Sequence, residues 1–149
     1  QLGSSDRGDR ILLRMADARG DVDCIEHACR LVTVKRLCRS QAARLQQCLR
    51  RHQGQPESCI TEGHRFETCA HEAMPSILRL LMDTASRQCP SEVFAFQRCV
   101  REQGGGQRGE ELCESYDERA LSCAARALAE PGAVERAEFP TMDGGGRFE

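Results

Sequence analysis

The first helical pattern of the chain lies behind a polar segment. Apolar positions at steps of three to five residues follow residue 21, and they are Ile25, Cys29, Val32 and Leu37. This spacing predicts a leading helix over residues 22–37. Residues 1–21 are polar except for the apolar patch Ile11–Met15, so we expect an extended N-terminal arm there.

A second apolar pattern occupies the middle of the chain. Its members are Ile77, Leu80 and Leu81, and they lie on one face of a helix. We therefore expect a linker helix within residues 70–88. Pro75 is expected to break or kink the chain just before these positions, because proline cannot donate the helical backbone hydrogen bond.

Capping residues and glycines mark further helix ends. Ser40 is expected to cap a helix that ends near Gly54, and Pro56 is expected to open the next one. Pro90 predicts another helix start, and the run of three glycines that begins at Gly104 predicts the end of that helix.

Eight of the ten cysteines repeat one interval. They form four pairs with nine residues between the members (CX9C), namely Cys38 and Cys48, Cys59 and Cys69, Cys89 and Cys99, and Cys113 and Cys123. Ten residues of helix advance about 15 Å and end about 80° short of whole turns, so both sulfurs of a pair lie on one broad face. If two helices with the same cysteine spacing run antiparallel, the two cysteines next to the connecting loop face each other, and so do the two cysteines far from it. The bridges expected from this geometry are Cys38–Cys69, Cys48–Cys59, Cys89–Cys123 and Cys99–Cys113, although eight cysteines allow many other pairings.

The spacing predicts an all-α fold with two tandem disulfide-stapled antiparallel hairpins, over residues 38–69 and 89–123. The loops are too short for the crossover that parallel helices need. Zinc fits these eight cysteines poorly, because structural zinc sites favour pairs separated by about two to four residues. Cys24 and Cys29 are left over, and a step of five residues places them about 140° apart on a helix. They are free, bridged outside a helix, or bound to metal together with His27.

Charge is unevenly distributed, although the formal net charge is only −2. Residues 30–51 contain seven basic side chains and no acidic one, whereas eleven acidic residues outnumber five basic ones from Glu102 onwards. The acidic part is expected to hold a helix over about residues 109–130, so that segment 124–149 comprises its end and an extended tail. With one Tyr and no Trp, we expect no large conventional core.

Residues 38–69 and 89–123 each resemble a coiled-coil-helix-coiled-coil-helix (CHCH) domain with the twin CX9C motif. That family implies import into the mitochondrial intermembrane space and oxidation there by the resident disulfide relay. The density of cysteine likewise indicates an oxidising compartment. The family's docking positions for the relay oxidase correspond to three apolar residues, each three positions before a cysteine, which also suit a hairpin core. They are Leu45, Phe66 and Phe96.

Two such motifs in tandem are similar to an accessory subunit of respiratory complex I. The resemblance implies a non-catalytic structural subunit on the intermembrane-space face of that complex, peripheral to the inner membrane. Its partners would be other subunits of the complex, with only indirect membrane contact and no nucleic acid or substrate. The alternatives are a subunit of ATP synthase, cytochrome c oxidase or the mitoribosome, or an assembly factor that uses Cys24 and Cys29.

The sequence contains no recognisable arrangement of catalytic residues. The four histidines are scattered and form neither a triad nor a HEXXH motif, and no CXXC pair suggests a thiol oxidoreductase. We therefore expect no enzyme, and no catalytic, cofactor-binding or metal-binding residue. No stretch approaches the roughly 20 apolar residues of a transmembrane helix.

Overall fold

A leading helix and two helical hairpins make up the part of the chain that the structure describes, which is Gly20 and residues 23–140 of a computed structural model. Every regular element in this range is helical, in agreement with the predicted all-α class. The elements are α1 (23–32), a π-helical turn (Thr33–Leu37), α2 (Arg39–Arg51), a 3-10 turn (Pro56–Cys59), α3 (Ile60–Gln88), α4 (Pro90–Glu102), α5 (Gly106–Leu112), α6 (Glu114–Ala129) and α7 (Ala133–Arg136). The predicted N-terminal arm, 1–21, falls almost entirely outside the described residues.

The first cysteine of each CX9C motif is the N-cap residue of a helix, and the second lies inside that helix nearly three turns later. The four N-cap cysteines are at most 2% exposed, and they are Cys38, Cys59, Cys89 and Cys113. Each bridge joins such an N-cap to an interior position of the neighbouring helix. The motif therefore fixes where a helix begins as well as which helix it pairs with.

This arrangement overturns one predicted helix cap and one predicted uninterrupted helix. Ser40 does not cap α2, because Cys38 occupies the N-cap and the Ser40 hydroxyl lies 3.0 Å from Oε1 of Gln41. The helix predicted over residues 109–130 is divided at Cys113, which ends α5 and caps α6. In both cases the bridged cysteine, rather than a conventional capping residue, sets the boundary.

The run of glycines ends α4 as predicted. Gly104, Gly105 and Gly106 all have positive φ, between +70° and +91°, which only glycine adopts readily. Gly109 in α5 is needed for a different reason, because a Cβ there would lie 3.0 Å from the carbonyl oxygen of Val100. The glycines thus allow α5 to turn back closely against α4.

Pro75 does not break the chain. It lies inside α3, which continues from the first hairpin to Gln88, so the second arm of that hairpin and the predicted linker helix are one element. An interior proline costs a helix about 3 kcal/mol. The Cys38–Cys69 bridge holds α3 on one side of Pro75 and buried residues hold it on the other, which offsets this cost.

The main buried cluster lies outside the hairpin tips, where α1, the C-terminal half of α3, α6 and α7 meet. Its members are Ala28, Val32, Ile77, Leu80, Leu81, Ala85, Ala124, Ala125, Leu128 and Val134. Four of these ten are alanine, which allows the helices to approach closely. The residues of the predicted linker helix thus form the centre of the core rather than a connection between two independent units.

The segment after α6 is not extended throughout, because it contains α7, whereas residues 137–140 form no regular element. Gly132 adopts a left-handed conformation, and α7 then packs Val134 into the core. Nη1 of Arg36 donates hydrogen bonds to three carbonyl oxygens at the end of α7, at 2.7–3.1 Å, and its guanidinium lies 5.0 Å from the centre of the Phe139 ring. The remaining tail residues, 141–149, lie outside the described part of the chain.

We expect Arg36→Ala to release α7, because it leaves three carbonyls without their charged donor. Hydrogen bonds to charged groups contribute about 1.5–3 kcal/mol, so hydrogen exchange of the amides at 133–137 should accelerate at least tenfold. Arg39→Ala, a neighbouring exposed arginine, is the matched control and should leave this exchange unchanged. Unaltered protection in Arg36→Ala would show that the core contact of Val134 and the Lys35–Glu135 ion pair hold the segment without Arg36.

Candidate functional site

The four disulfides connect the same pairs that antiparallel hairpins predict. The bridges are Cys38–Cys69, Cys48–Cys59, Cys89–Cys123 and Cys99–Cys113, with Cα–Cα distances of 5.9, 5.9, 6.2 and 6.0 Å. These distances lie in the usual range for a disulfide. One bridge closes the base of each hairpin and the other closes its tip, so the two arms are fixed at both ends.

Cys24 and Cys29 are free thiols on α1. The helix is continuous between them, and both are half-buried against the core cluster. Burial raises the pKa of the Cys29 thiol above its ordinary value, a backbone hydrogen bond partly opposes this effect, and the Glu26 charge adds to it. Cys29 is therefore protonated at neutral pH and is a poor nucleophile.

A group with metal-ligand geometry occurs at the base of the second hairpin. Cys89, Glu92 and Cys123 place one ligand atom each within 4.8 Å of one another. Both sulfurs are joined in a disulfide, so neither is the thiolate that a metal requires. In the oxidised chain the group offers only the Glu92 carboxylate. Neither Cys24, Cys29 nor His27 belongs to it.

The three apolar residues expected at the oxidase-docking positions lie on three different helices. Leu45 lies on α2, Phe66 on the N-terminal half of α3 and Phe96 on α4, and all three are half-buried. None belongs to the main buried cluster. Phe96 lines a groove of the second hairpin, whereas Leu45 and Phe66 do not contribute to it.

This groove was not predicted from the sequence. It has a volume of about 560 Å³ and lies between the C-terminal half of α3 and helices α4, α5 and α6; the residues that line it are Leu78, Met82, Phe96, Gln107, Glu110, Glu111, Glu114, Asp117 and Leu121. Apolar side chains form one part of the lining and four carboxylates form the other. No lining residue is basic. A second hollow, of about 420 Å³, shares five lining residues with it, which are Met82, Phe96, Glu110, Asp117 and Leu121.

The carboxylates of the groove lie close enough to affect one another. The pKa of Asp117 is raised above its ordinary value, first by burial and then by repulsion from Glu110 and Glu114. At a given pH the folded chain therefore keeps Asp117 protonated to a greater extent than the unfolded chain does. Stability is unaffected by this group below its unfolded-state pKa, falls as the pH rises above that value, and has lost the full contribution above the folded-state pKa.

Neutralising one neighbour should lower this pKa. We expect Glu110→Gln to move the pKa of Asp117 towards the ordinary aspartate value, because one repelling charge is removed while burial is unchanged. The side-chain carbon of Asp117 reports its titration by NMR. Glu57→Gln, an exposed residue on the first hairpin, is the control. An unshifted Asp117 in Glu110→Gln would attribute the raised pKa to burial and Glu114.

Comparisons of the chain with protein-family models, with curated proteins and with solved structures found no match. The described helices include none that is long and apolar enough to cross a membrane. What the structure defines is thus a class, a helical protein with two tandem disulfide-stapled hairpins of the twin CX9C kind.

Proposed function

We propose that the chain is a non-catalytic structural accessory subunit of mitochondrial respiratory complex I, on its intermembrane-space face. The observation that carries this proposal is the presence of two bridged hairpins in one chain, joined through the shared helix α3. Tandem twin CX9C motifs resemble the complex I accessory subunit described as NADH dehydrogenase 1 alpha subcomplex subunit 8.

The architecture suits a brace. Both hairpins are closed by covalent bonds at base and tip, and α3 passes from the first hairpin into the core that holds the second. Such an element keeps a fixed separation between the surfaces that contact its two ends. The basic α2 and the acidic groove give those ends opposite charge, which favours attachment to different neighbours.

Oxidation by the relay of the intermembrane space belongs to the same proposal. Phe66 and Phe96 each lie three residues before a bridged cysteine and stay half-buried in the closed hairpins. In the reduced chain these rings would be free to contact an oxidase before each bridge forms. The protonated, half-buried Cys29 makes the alternative of a thiol-dependent assembly factor less attractive.

Native electrophoresis of solubilised mitochondria tests the assignment. We expect the tagged chain to migrate with NADH dehydrogenase activity, and its depletion to reduce the amount of assembled complex I. Migration with ATP synthase, cytochrome c oxidase or ribosomal RNA would contradict the assignment and identify another complex. Migration as a free protein, with loss of function in Cys24→Ser and Cys29→Ser, would instead favour an assembly factor.

A further inference from the structure

The groove of the second hairpin exposes large apolar side chains. Leu78 and Met82 lie one helical turn apart on α3, with 42% and 51% of their surfaces accessible. Met74, one turn earlier, is 40% exposed, so the apolar stripe continues for two turns, about 12 Å. Phe96 and Leu121 extend the apolar surface across the groove. An exposed apolar patch of this kind, rimmed by polar residues, is typical of a binding surface.

The rim of the groove carries charge of one sign. Glu110 and Glu111 on α5 and Glu114 and Asp117 on α6 line it, without any lysine, arginine or histidine. Burial is the first cause of the raised pKa of Asp117, and repulsion from Glu110 and Glu114 adds to it. A ligand that brings positive charge beside an apolar face would relieve the repulsion and cover the stripe at the same time.

We propose that the groove is the docking site for a basic amphipathic helix of a neighbouring protein. Leu78 and Met82 contact the apolar face of that helix, and the carboxylates of α5 and α6 pair with its lysine or arginine side chains. A helix about 10 Å across laid in a groove is a recurrent mode of peptide recognition. The inference rests on the proposed function, since it assigns one surface by which a structural subunit holds its neighbour.

The chain itself offers poorer occupants. Its most basic helix, α2, is already held against α3 by the two bridges of its hairpin, and Leu49 is its one exposed large apolar side chain, so a second copy has no continuous apolar face to present there. The N-terminal segment 1–21 contains four arginines and four aspartates. It therefore has no excess of positive charge to complement the rim.

Fluorescence anisotropy with the full-length oxidised protein tests the proposal. The probe is an 18-residue labelled peptide of leucine and lysine arranged as an amphipathic helix, and its control is a peptide of the same composition in scrambled order. We expect saturable binding of the helical peptide that weakens as salt rises, and at least tenfold weaker binding of the scrambled one. Equal affinity for both would overturn the proposal, because it would reflect net charge alone.

Variants locate the binding site. The triple variant Glu110→Gln, Glu114→Gln, Asp117→Asn is expected to weaken binding about tenfold and to flatten its salt dependence. The double variant Leu78→Gln, Met82→Gln is expected to weaken it by a similar factor. All of these side chains are at least partly exposed, and circular dichroism checks that the variants retain their helices.

Matched variants elsewhere serve as controls. Neutralising Glu57, Glu67 and Glu130 removes the same number of charges outside the groove, and Leu49→Gln with Ile60→Gln removes exposed apolar surface at the tip of the first hairpin. We expect both controls to bind the peptide as the parent does. A loss in the controls equal to that in the groove variants would overturn the assignment of the site.

Two further outcomes would assign the groove to another occupant. Tighter peptide binding by the full chain with Leu12→Asp and Leu13→Asp would show that the N-terminal segment competes for the groove. Dimerisation that the triple variant abolishes would assign it to a second copy. Either result overturns the proposal. The peptide assay does not require complex I, so the two proposals can fail separately. Loss of peptide binding with intact co-migration would reject only the groove as a docking site. Peptide binding without co-migration would reject only the assignment to complex I.

Discussion

Removal of the Cys38–Cys69 bridge by a double serine substitution is expected to unfold the first hairpin while the rest of the chain stays folded. The bridge closes a separation of 31 residues, and the entropic model assigns such a closure about 3–4 kcal/mol. Apart from the Cys48–Cys59 bridge at the tip of the hairpin, little else holds α2 in place, because Ala42 is its only buried residue. A 13-residue helix is marginal on its own. Hydrogen exchange should therefore show loss of protection throughout α2.

The second hairpin should tolerate the same change better. Cys89→Ser with Cys123→Ser opens a separation of 34 residues, but Ala124, Ala125 and Leu128 keep α6 in the core. Cys24→Ser with Cys29→Ser removes two sulfurs without opening a bridge, and we expect its effect to be small. Retained protection of α2 after loss of the Cys38–Cys69 bridge would mean that packing and the Cys48–Cys59 bridge stabilise the first hairpin without the outer disulfide.

Leu80→Ala is expected to lower the free energy of unfolding by about 3 kcal/mol, within the usual range of about 2–5 kcal/mol for such core substitutions. Leu80 is fully buried at the centre of the cluster formed by α1, α3, α6 and α7, so its loss leaves a cavity that several helices share. Denaturant unfolding of the oxidised protein measures the change.

Leu78→Ala is the matched control for this substitution. Leu78 lies two residues away on the same helix and is 42% exposed. We therefore expect Leu78→Ala to lower the free energy of unfolding by less than about 1 kcal/mol. A similarly small decrease in the free energy of unfolding for Leu80→Ala would contradict the claim that α3 lies at the centre of the core. It would favour instead two independent hairpins connected by a helix that merely spaces them.

The sequence allows the hairpins to be predicted because their information is local and periodic. One interval of ten residues, repeated four times, fixes which cysteines face each other once the helices are antiparallel. The helix ends at Gly54 and Gly104 follow from the same kind of local signal, since both residues adopt positive φ. A backbone conformation that one residue type favours by itself can be predicted from the position of that residue in the sequence.

Features that depend on tertiary packing were not visible in this way. Alanines such as Ala28 and Ala124 form part of the core, but small residues give a weak apolar signal even where helices meet closely. Pro75 predicts a break or a kink, and burial on one side with a bridge on the other keeps α3 continuous through it. The contact of Arg36 with α7 joins residues about one hundred positions apart. No local pattern announces such a contact.

The groove of the second hairpin likewise combines features that the sequence indicates with features that depend on tertiary packing. Phe96 is marked in the sequence by its spacing to a cysteine, and the structure places it in a groove whose other walls come from α3, α5 and α6. The carboxylates of α5 and α6 were visible as an acidic stretch, but their meeting with Leu78 and Met82 depends on how the second hairpin packs against α3. The sequence thus indicates the acidic stretch and Phe96, but neither the exposure of Leu78 and Met82 nor the site that these residues form together.

Disulfide mapping by mass spectrometry is the most direct test of whether the bridges clamp each hairpin separately. The native protein is alkylated before digestion, and its disulfides are not reduced. We expect four crosslinked peptide pairs, Cys38 with Cys69, Cys48 with Cys59, Cys89 with Cys123 and Cys99 with Cys113, and alkylated thiols only at Cys24 and Cys29. A crosslink between the two hairpins, a bridge that includes Cys24 or Cys29, or alkylation of all ten cysteines would contradict this arrangement.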